Sequence, residues 1–344
     1  MSLAAKINAL IQTDGPIPLS VFMALCLHDP EHGYYAKGAG LGRDFTTAPE
    51  TSQVFGELIG LWCAHEWSAM DAPTPIVITE IGPGRGTLMA DFLRATKVQT
   101  AFRAAADLHL IEASPALRQL QADRLDHASP VHTDSLDILP AGPAIIIANE
   151  FLDCLPARQF IKAGETWRER VVGLDRNGGL TFGLAADPAP DIPDLGQDSA
   201  EFQPALGHLV DTLANRETPF RALFIDYGPT GHPPADTLRA YRSGEQVHPL
   251  SDPGGCDLTV DVDFARLKRL AVAAGLAVHG PKPQGSFLMA LGLQDRLDQL
   301  IARNPGEAEA IFSAAGRLAD PSEMGTRFQA ICLSSQGLPD PAGF

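Results

Sequence analysis

Apolar positions recur at helical spacing over residues 3–12 and 18–27, with the breaker Asp14-Gly15-Pro16 between them. A loop rich in glycine and aromatic residues follows, from His28 to Phe45. Helical periodicity returns over 51–69, where Val54, Phe55, Leu58, Ile59, Leu61 and Trp62 form one stripe. From residue 76 the pattern changes. Short β-prone runs at 76–81, 107–112, 130–133 and 143–148 alternate with helical stretches at 87–96 and 115–125. That alternation predicts a parallel sheet. The unbroken apolar run Ala144 to Ala148 predicts a central strand buried on both faces.

The rhythm breaks at 157–184, which reads as three antiparallel strands whose last turn is Asn177-Gly178-Gly179. A proline-rich acidic loop over 186–199, a helix near 201–215 and a strand at 221–226 come next. A second insertion over 228–258 carries Tyr241 and His248. A helix at 262–273, a strand at 275–279, a helical stretch over 286–318 and a last strand at 327–334 complete the pattern. The expectation is an α/β chain in three parts. Residues 1–72 form an N-terminal helical cap or lid. Residues 73–336 form a sheet domain with insertions at about 155–200 and 228–260. Residues 337–344 form a flexible tail.

Composition narrows the class. With 344 residues, 45% hydrophobic and 20% charged, the chain can bury a sizeable core. The net charge of −16, without a Lys/Arg cluster, argues against nucleic-acid partners. Cys26, Cys63, Cys154, Cys256 and Cys332 are scattered, which fits buried thiols in a reducing compartment. The first residues show neither a secretory nor a transit pattern, and no apolar run is long enough to span a membrane. These observations give the expectation of a cytoplasmic protein without membrane insertion. His28 and His32 have i, i+4 spacing, but Pro30 and Gly33 forbid a regular helix there, so no metal is expected.

The most informative run is Ile76-Val-Ile-Thr-Glu80-Ile-Gly82-Pro83-Gly84-Arg85-Gly86-Thr87. Strand, glycine turn and helix bring backbone close to a nucleotide-like ligand. The spacing G-x-G-x-G is not the G-x-G-x-x-G of dinucleotide binders, and no G-K-[ST] ending follows. Glu80 before the turn, with no phosphate-gripping lysine after it, suits a cofactor without phosphates: S-adenosyl-L-methionine (SAM). Glu112, at the end of the second strand, can accept two ribose hydroxyls. Asp134 and Ser135 follow the third strand, where an adenine amino group can be taken. Asn149, Glu150 and Asp153 follow the fourth strand, at the mouth where a methyl acceptor approaches. A carboxylate there can grip a planar guanidinium bidentately. Asp226 and Tyr227 end a later strand and line the same mouth.

Several longer segments occur together. They are His32-Gly-Tyr34-Tyr35, Asp44-Phe45-Thr46-Thr47-Ala-Pro49-Glu-Thr-Ser-Gln53-Val-Phe-Gly-Glu57, Glu80 to Asp91, Glu112 to Arg118, Asn149 to Phe160, Ile225 to Gly228 and Asp257 to Phe264. With them the chain resembles the MidA-type family of SAM-dependent methyltransferases, whose mitochondrial member is a complex I assembly factor that methylates arginine. The resemblance spans about residues 6 to 334. It implies a class I SAM-dependent methyltransferase (Rossmann-like) fold, a seven-stranded sheet with its last strand antiparallel. It implies that Gly82, Gly84, Gly86 and Glu112 hold SAM. It makes an arginine of a protein the acceptor, with symmetric dimethylation of a complex I subunit as precedent. The segment from Tyr34 to Gln53, with Tyr35, Phe45, Thr46, Thr47 and Pro49, is then a lid over the acceptor. A different protein or small-molecule acceptor, or a SAM-binding assembly chaperone, remains the alternative.

Overall fold

In the computed structural model, described over residues 1–37, 46–189 and 197–344, the chain forms two compact units. One comprises Thr46–Leu152, Leu209–Tyr227 and Lys268–Phe344. Its centre is a seven-stranded sheet. The strands are β1 (Ile76–Ile81), β2 (Ala106–Ile111), β3 (Val131–Thr133), β4 (Ala144–Asn149), β5 (Phe220–Tyr227), β6 (Ala277–Pro283) and β7 (Phe328–Ser334). Their order across the sheet is β6-β7-β5-β4-β1-β2-β3. β7 runs antiparallel to both its neighbours, and β1 to β5 pair in parallel. This is the class I methyltransferase arrangement that the family resemblance implied.

Strand composition explains the layout. Every residue of β1 and of β4 is buried, as a central parallel strand requires. β1 pairs Ile81 with Ile111 on one side and with Ala148 on the other. The carboxyl ends of β1, β2 and β4 therefore finish level. Gly82, Glu112 and Asn149 come together at one edge. In an open α/β sheet this edge is where ligands bind.

The helix Gln53–Ala69 belongs to this unit. The boundary drawn at residue 72 from sequence therefore does not coincide with the division between units. Small residues account for its packing on the helix Thr87–Ala95. A Cβ at Gly56 would stand 2.6 Å from Asp91 Cβ, and one at Gly60 would stand 2.9 Å from Phe92 Cα. The helical stretch over 286–318 divides into Gln284–Ala290, Leu293–Arg303 and Ala308–Ala319. Gly292, at φ +92, and Pro305 make the breaks.

The tail 337–344 is not loose. Trp62 Nε1 donates to the Ala342 carbonyl at 3.0 Å, and the Ala342 N–H donates to Glu66 Oε1 at 2.9 Å. The Phe344 ring lies 5.1 Å from Phe287. A chain terminus is expected to be flexible, but long-range contacts hold this one.

The other unit comprises Met1–Phe45, Asp153–His208 and Gly228–Leu267. Arg158–Ala163, Thr166–Leu174 and Leu180–Leu184 form the three antiparallel strands read from sequence. Two further strands join them. Ile17–Pro18 pairs with Thr166–Leu174, and Ser199–Phe202 pairs with Arg158–Ala163. The latter replaces the start of the helix expected near 201–215, because Pro204 delays the helix to Ala205–Ala214. Phe160 stacks on Phe202 at 5.2 Å within this sheet. The insertion over 228–258 forms a separate small sheet of Arg239–Arg242, Glu245–Val247 and Asp257–Thr259. Among the described residues no helix is long and apolar enough to cross a membrane, and no group of three or more His, Cys, Asp or Glu is placed to hold a metal.

Candidate active site

The glycine turn is shaped by left-handed backbone. Gly82, Gly84 and Gly86 have φ of +65, +52 and +76. An L side chain is strained in this region, so three glycines in five residues are a conformational requirement. The Gly86 N–H closes the turn on the Pro83 carbonyl at 2.7 Å, and the helix Thr87–Ala95 starts directly after it. A Cβ at Gly82 would meet Phe151 Cδ2 at 3.2 Å.

Beneath the turn lies Glu80, only 3% exposed. Burial pushes its carboxyl up to about 8. Its Oε2 has no hydrogen-bond partner among the described residues. An acceptor buried in this way calls for a donor that the described residues do not supply. Glu112, at the end of β2, is also buried. Its Oε1 accepts the Ser114 N–H at 2.8 Å, and its Oε2 accepts from Gln121 Nε2 at 3.3 Å. Burial raises its carboxyl, and these two hydrogen bonds oppose the rise. The carboxylate keeps acceptor capacity for a hydroxyl donor.

Gln121 is fully buried. Its Nε2 also donates to the Gly84 carbonyl at 2.7 Å, and its Oε1 lies 2.9 Å from His132 Nε2. One amide thus ties the turn to the end of β2. Sequence reasoning missed it. The available signal was a polar residue within the buried stripe Leu117, Gln121, Leu125 of the helix Pro115–Leu125.

Asp134 and Ser135 are spent differently from expectation. Arg118 pairs with the exposed Asp134 carboxylate. Ser135 Oγ donates to Asp137 Oδ2 at 2.8 Å and accepts the Asp137 N–H at 3.2 Å, capping a short helical turn.

Glu150 adopts φ +50, an uncommon conformation for a non-glycine residue. Such outliers mark sites where the surroundings enforce strain. Its Oε1 accepts the Ala48 N–H at 2.8 Å and Asn149 Nδ2 at 3.1 Å. Both lone pairs of that oxygen are engaged. Glu150 is thus anchored through Oε1 to the Ala48–Thr51 helix and to Asn149. Asn149 is 8% exposed, and its Oδ1 has no hydrogen-bond partner among the described residues.

Asp226 is fully buried and accepts the N–H groups of Leu152 and Tyr227, each at 2.8 Å. It fixes the loop after β4 instead of lining the mouth. The Tyr227 ring lies 5.2 Å from Phe328, edge to face, with the Arg327 guanidinium 5.0 Å above it.

The residues read as a lid divide between the two units. Thr46, Thr47, Pro49 and Gln53 belong with the seven-stranded sheet. Thr47 precedes the short helix Ala48–Thr51, with Pro49 inside its first turn, and Gln53 is exposed at the start of the next helix. Glu50, unnoticed in sequence, accepts from Thr87 Oγ1 at 2.6 Å. Tyr34, Tyr35 and Asp153 lie in the other unit. The Tyr35 hydroxyl donates to Asp257 Oδ1 at 3.1 Å, and its ring meets Tyr34 edge-on at 5.3 Å. Burial, with Asp257 beside it, holds the Tyr35 phenol well above its usual range. The Asp153 carbonyl accepts the Val260 N–H at 3.0 Å. Phe45 lies outside the described residues.

Residues 58–282 match the family described as "Putative S-adenosyl-L-methionine-dependent methyltransferase". The chain belongs to this family of SAM-dependent methyltransferases. The methyltransferase is 35% identical to the mitochondrial protein arginine methyltransferase NDUFAF7 homolog of Drosophila melanogaster, over 96% of this chain and 84% of that one. It is 34% identical to mitochondrial protein arginine methyltransferase NDUFAF7 of Homo sapiens, over 94% of this chain and 81% of the human one. A crystal structure of a Burkholderia thailandensis protein bound to S-adenosyl-homocysteine superposes with a TM-score of 0.86 at 27% identity, covering 99% of this chain and 93% of the other. The cofactor of the methyltransferase is SAM. The buried, unpartnered Glu80 Oε2 and the left-handed glycine turn fit the cationic amino-acid end of that molecule. One expectation is corrected: these curated relatives are named mitochondrial, which conflicts with the cytoplasmic placement read from the first residues.

Proposed function

We propose that the methyltransferase transfers the SAM methyl group to an arginine nitrogen of a protein. The observation that carries this reading is the position of Asn149 and Glu150. Asn149 ends β4 and Glu150 follows it, one and two residues beyond the pair Ile81–Ala148 that leads into the glycine turn. Polar acceptors stand where the donor's methyl would be presented, and a carboxylate there favours a cationic guanidinium. The relatives named protein arginine methyltransferases support the same acceptor.

Glu80, Gly82, Pro83, Gly84, Gly86, Thr87 and Glu112 would hold the cofactor. The glycine turn and Glu80 suit its amino-acid end, and Glu112 its ribose. When bound, SAM supplies an electrophilic methyl on a sulfonium. The chain's own contribution is orientation and exclusion of water. Following the MidA-type resemblance, we take the acceptor to be a respiratory complex I subunit and the product to be symmetric dimethylarginine.

Incubation with tritiated SAM and respiratory complex I subunits, then acid hydrolysis and chromatography of the labelled residue, tests this reading. Label is expected in symmetric dimethylarginine. Label confined to lysine or to a small amine would sink the arginine reading.

A further inference from the structure

The anchored Glu150 carboxylate leaves open which atom meets the reacting nitrogen. Glu150 Oε1 is saturated by the Ala48 N–H and by Asn149 Nδ2. An ionised carboxylate only accepts, so the amide face of Asn149 toward Glu150 must be its NH₂. The Asn149 carbonyl oxygen is thereby turned the other way. It is buried and has no partner among the described residues, on a residue 8% exposed that ends the strand pairing with the glycine-turn strand. A buried carbonyl without a donor is destabilising unless a ligand supplies one.

Resting on the methyltransferase reading of this site, we infer that Asn149 Oδ1 is the group that contacts the attacking nitrogen. It accepts one N–H of that nitrogen and so turns the lone pair toward the methyl. Glu150 is a positioning residue: it fixes the Asn149 amide from behind and is itself fixed by Ala48. The Glu50 contact to Thr87 ties the short Ala48–Thr51 helix to the first helical residue after the glycine turn. Donor turn and acceptor amide are therefore set by one hydrogen-bonded strap. In the transfer, the nitrogen lone pair forms the new N–C bond. The C–S bonding pair stays with sulfur, and the proton shed by the nitrogen leaves to solvent water.

Sinefungin, which carries an amino group on carbon in place of the methylsulfonium, tests this without any protein substrate. Its extra ammonium projects from the methyl position and needs an acceptor there. Calorimetric titration is expected to show wild type binding sinefungin about tenfold more tightly than S-adenosylhomocysteine, the size of one charge-assisted hydrogen bond. Asn149→Ala should lose that preference while holding S-adenosylhomocysteine within about twofold of wild type. Should the alanine variant fail to fold, Asn149→Ser, too short to reach, gives the same reading. Glu150→Gln, whose carbonyl can still accept from Ala48 and Asn149, should retain the preference that Glu150→Ala loses. A sinefungin preference that is absent in wild type, or unchanged in Asn149→Ala, overturns the inference. Loss of the preference in Glu150→Gln together with its survival in Asn149→Ala would assign the contact to Glu150. Failure of wild type to bind either compound is a separate result that removes the cofactor reading itself.

Discussion

Gln121 Nε2 donates to the carbonyl of Gly84 at 2.7 Å while its amide also reaches Glu112 Oε2 at 3.3 Å. One fully buried side chain holds the apex of the glycine turn against the carboxylate at the end of β2. Gln121→Leu keeps the volume and removes both bonds. S-adenosylhomocysteine affinity should fall about tenfold or more, because a buried acceptor at each end loses its donor. Titration calorimetry checks this; an affinity equal to wild type would show that the turn holds itself.

Glu112 and Glu150 should separate in the same assay. Glu112→Ala removes the carboxylate acceptor offered to the ribose and should weaken S-adenosylhomocysteine by about tenfold to a hundredfold. Glu150→Ala should bind it within a few-fold of wild type and stop methyl transfer. Equal losses of binding in the two variants would erase this division of roles.

Glu80 gives a pH dependence with a definite sign. Burial takes its carboxyl from 4.5 to about 8. The folded form without cofactor therefore holds a proton that the unfolded chain releases near 4.5. The stability this contributes is present below 4.5 and is lost as pH rises through about 8. Glu80→Gln should raise the melting temperature of the cofactor-free protein at pH 8 more than at pH 5. A cationic ligand amino group favours ionised Glu80, so wild-type affinity for S-adenosylhomocysteine should climb between pH 6 and 8, by up to about tenfold per unit. In Glu80→Gln the climb should vanish. A flat wild-type profile would mean that Glu80 does not face the ammonium.

Gly82→Ala combines strain at φ +65 with a Cβ 3.2 Å from Phe151 Cδ2. The left-handed backbone alone costs a non-glycine residue about 1–2 kcal/mol. The variant should melt a few degrees lower and lose cofactor affinity. Adding Phe151→Leu should relieve the steric part and leave the backbone part, which differential scanning calorimetry of the single and double variants resolves.

Removal of residues 339–344 should destabilise the whole sheet unit. Arg221 and Glu66 are both fully buried, with Arg221 Nε 2.7 Å from Glu66 Oε2. That approach is an ion pair and not a well-aligned hydrogen bond. The tail bonds the other atoms of the pair: the Pro339 carbonyl accepts from Arg221 Nη2, and the Ala342 N–H donates to Glu66 Oε1. Without them a buried charge pair is under-satisfied, at a cost on the order of 2–4 kcal/mol. A melting temperature unchanged on truncation would show the tail to be dispensable.

The sheet was legible because its strands are short, apolar and separated by helical periodicity, patterns that persist without knowledge of partners. The run Ile76 to Ile81 and the run Ala144 to Asn149 are buried along their length, as their composition demanded. Other elements were hidden for a common reason. Ile17–Pro18 forms a strand only because Val171 and Val172 stand opposite, and Ser199–Phe202 only because Arg158 to Ile161 do. Two to four residues carry no periodicity of their own. The packed tail was hidden likewise, since its partners Trp62, Glu66 and Arg221 lie far away in the chain.

By itself, the sequence determined the parallel α/β core, the left-handed glycine turn and the acidic residues at the strand ends. Those features depend on local conformational preference and on hydrophobic period. Only the tertiary structure decided what each polar group does. It drew Asp226 into holding the loop after β4, engaged Asp134 with Arg118, and turned Glu150 Oε1 toward Ala48 and Asn149. It also brought in Gln121 as the tie between turn and strand. The physical reason is that a hydrogen bond is settled by which groups meet after folding, and a carboxylate's residue type says only that it will accept.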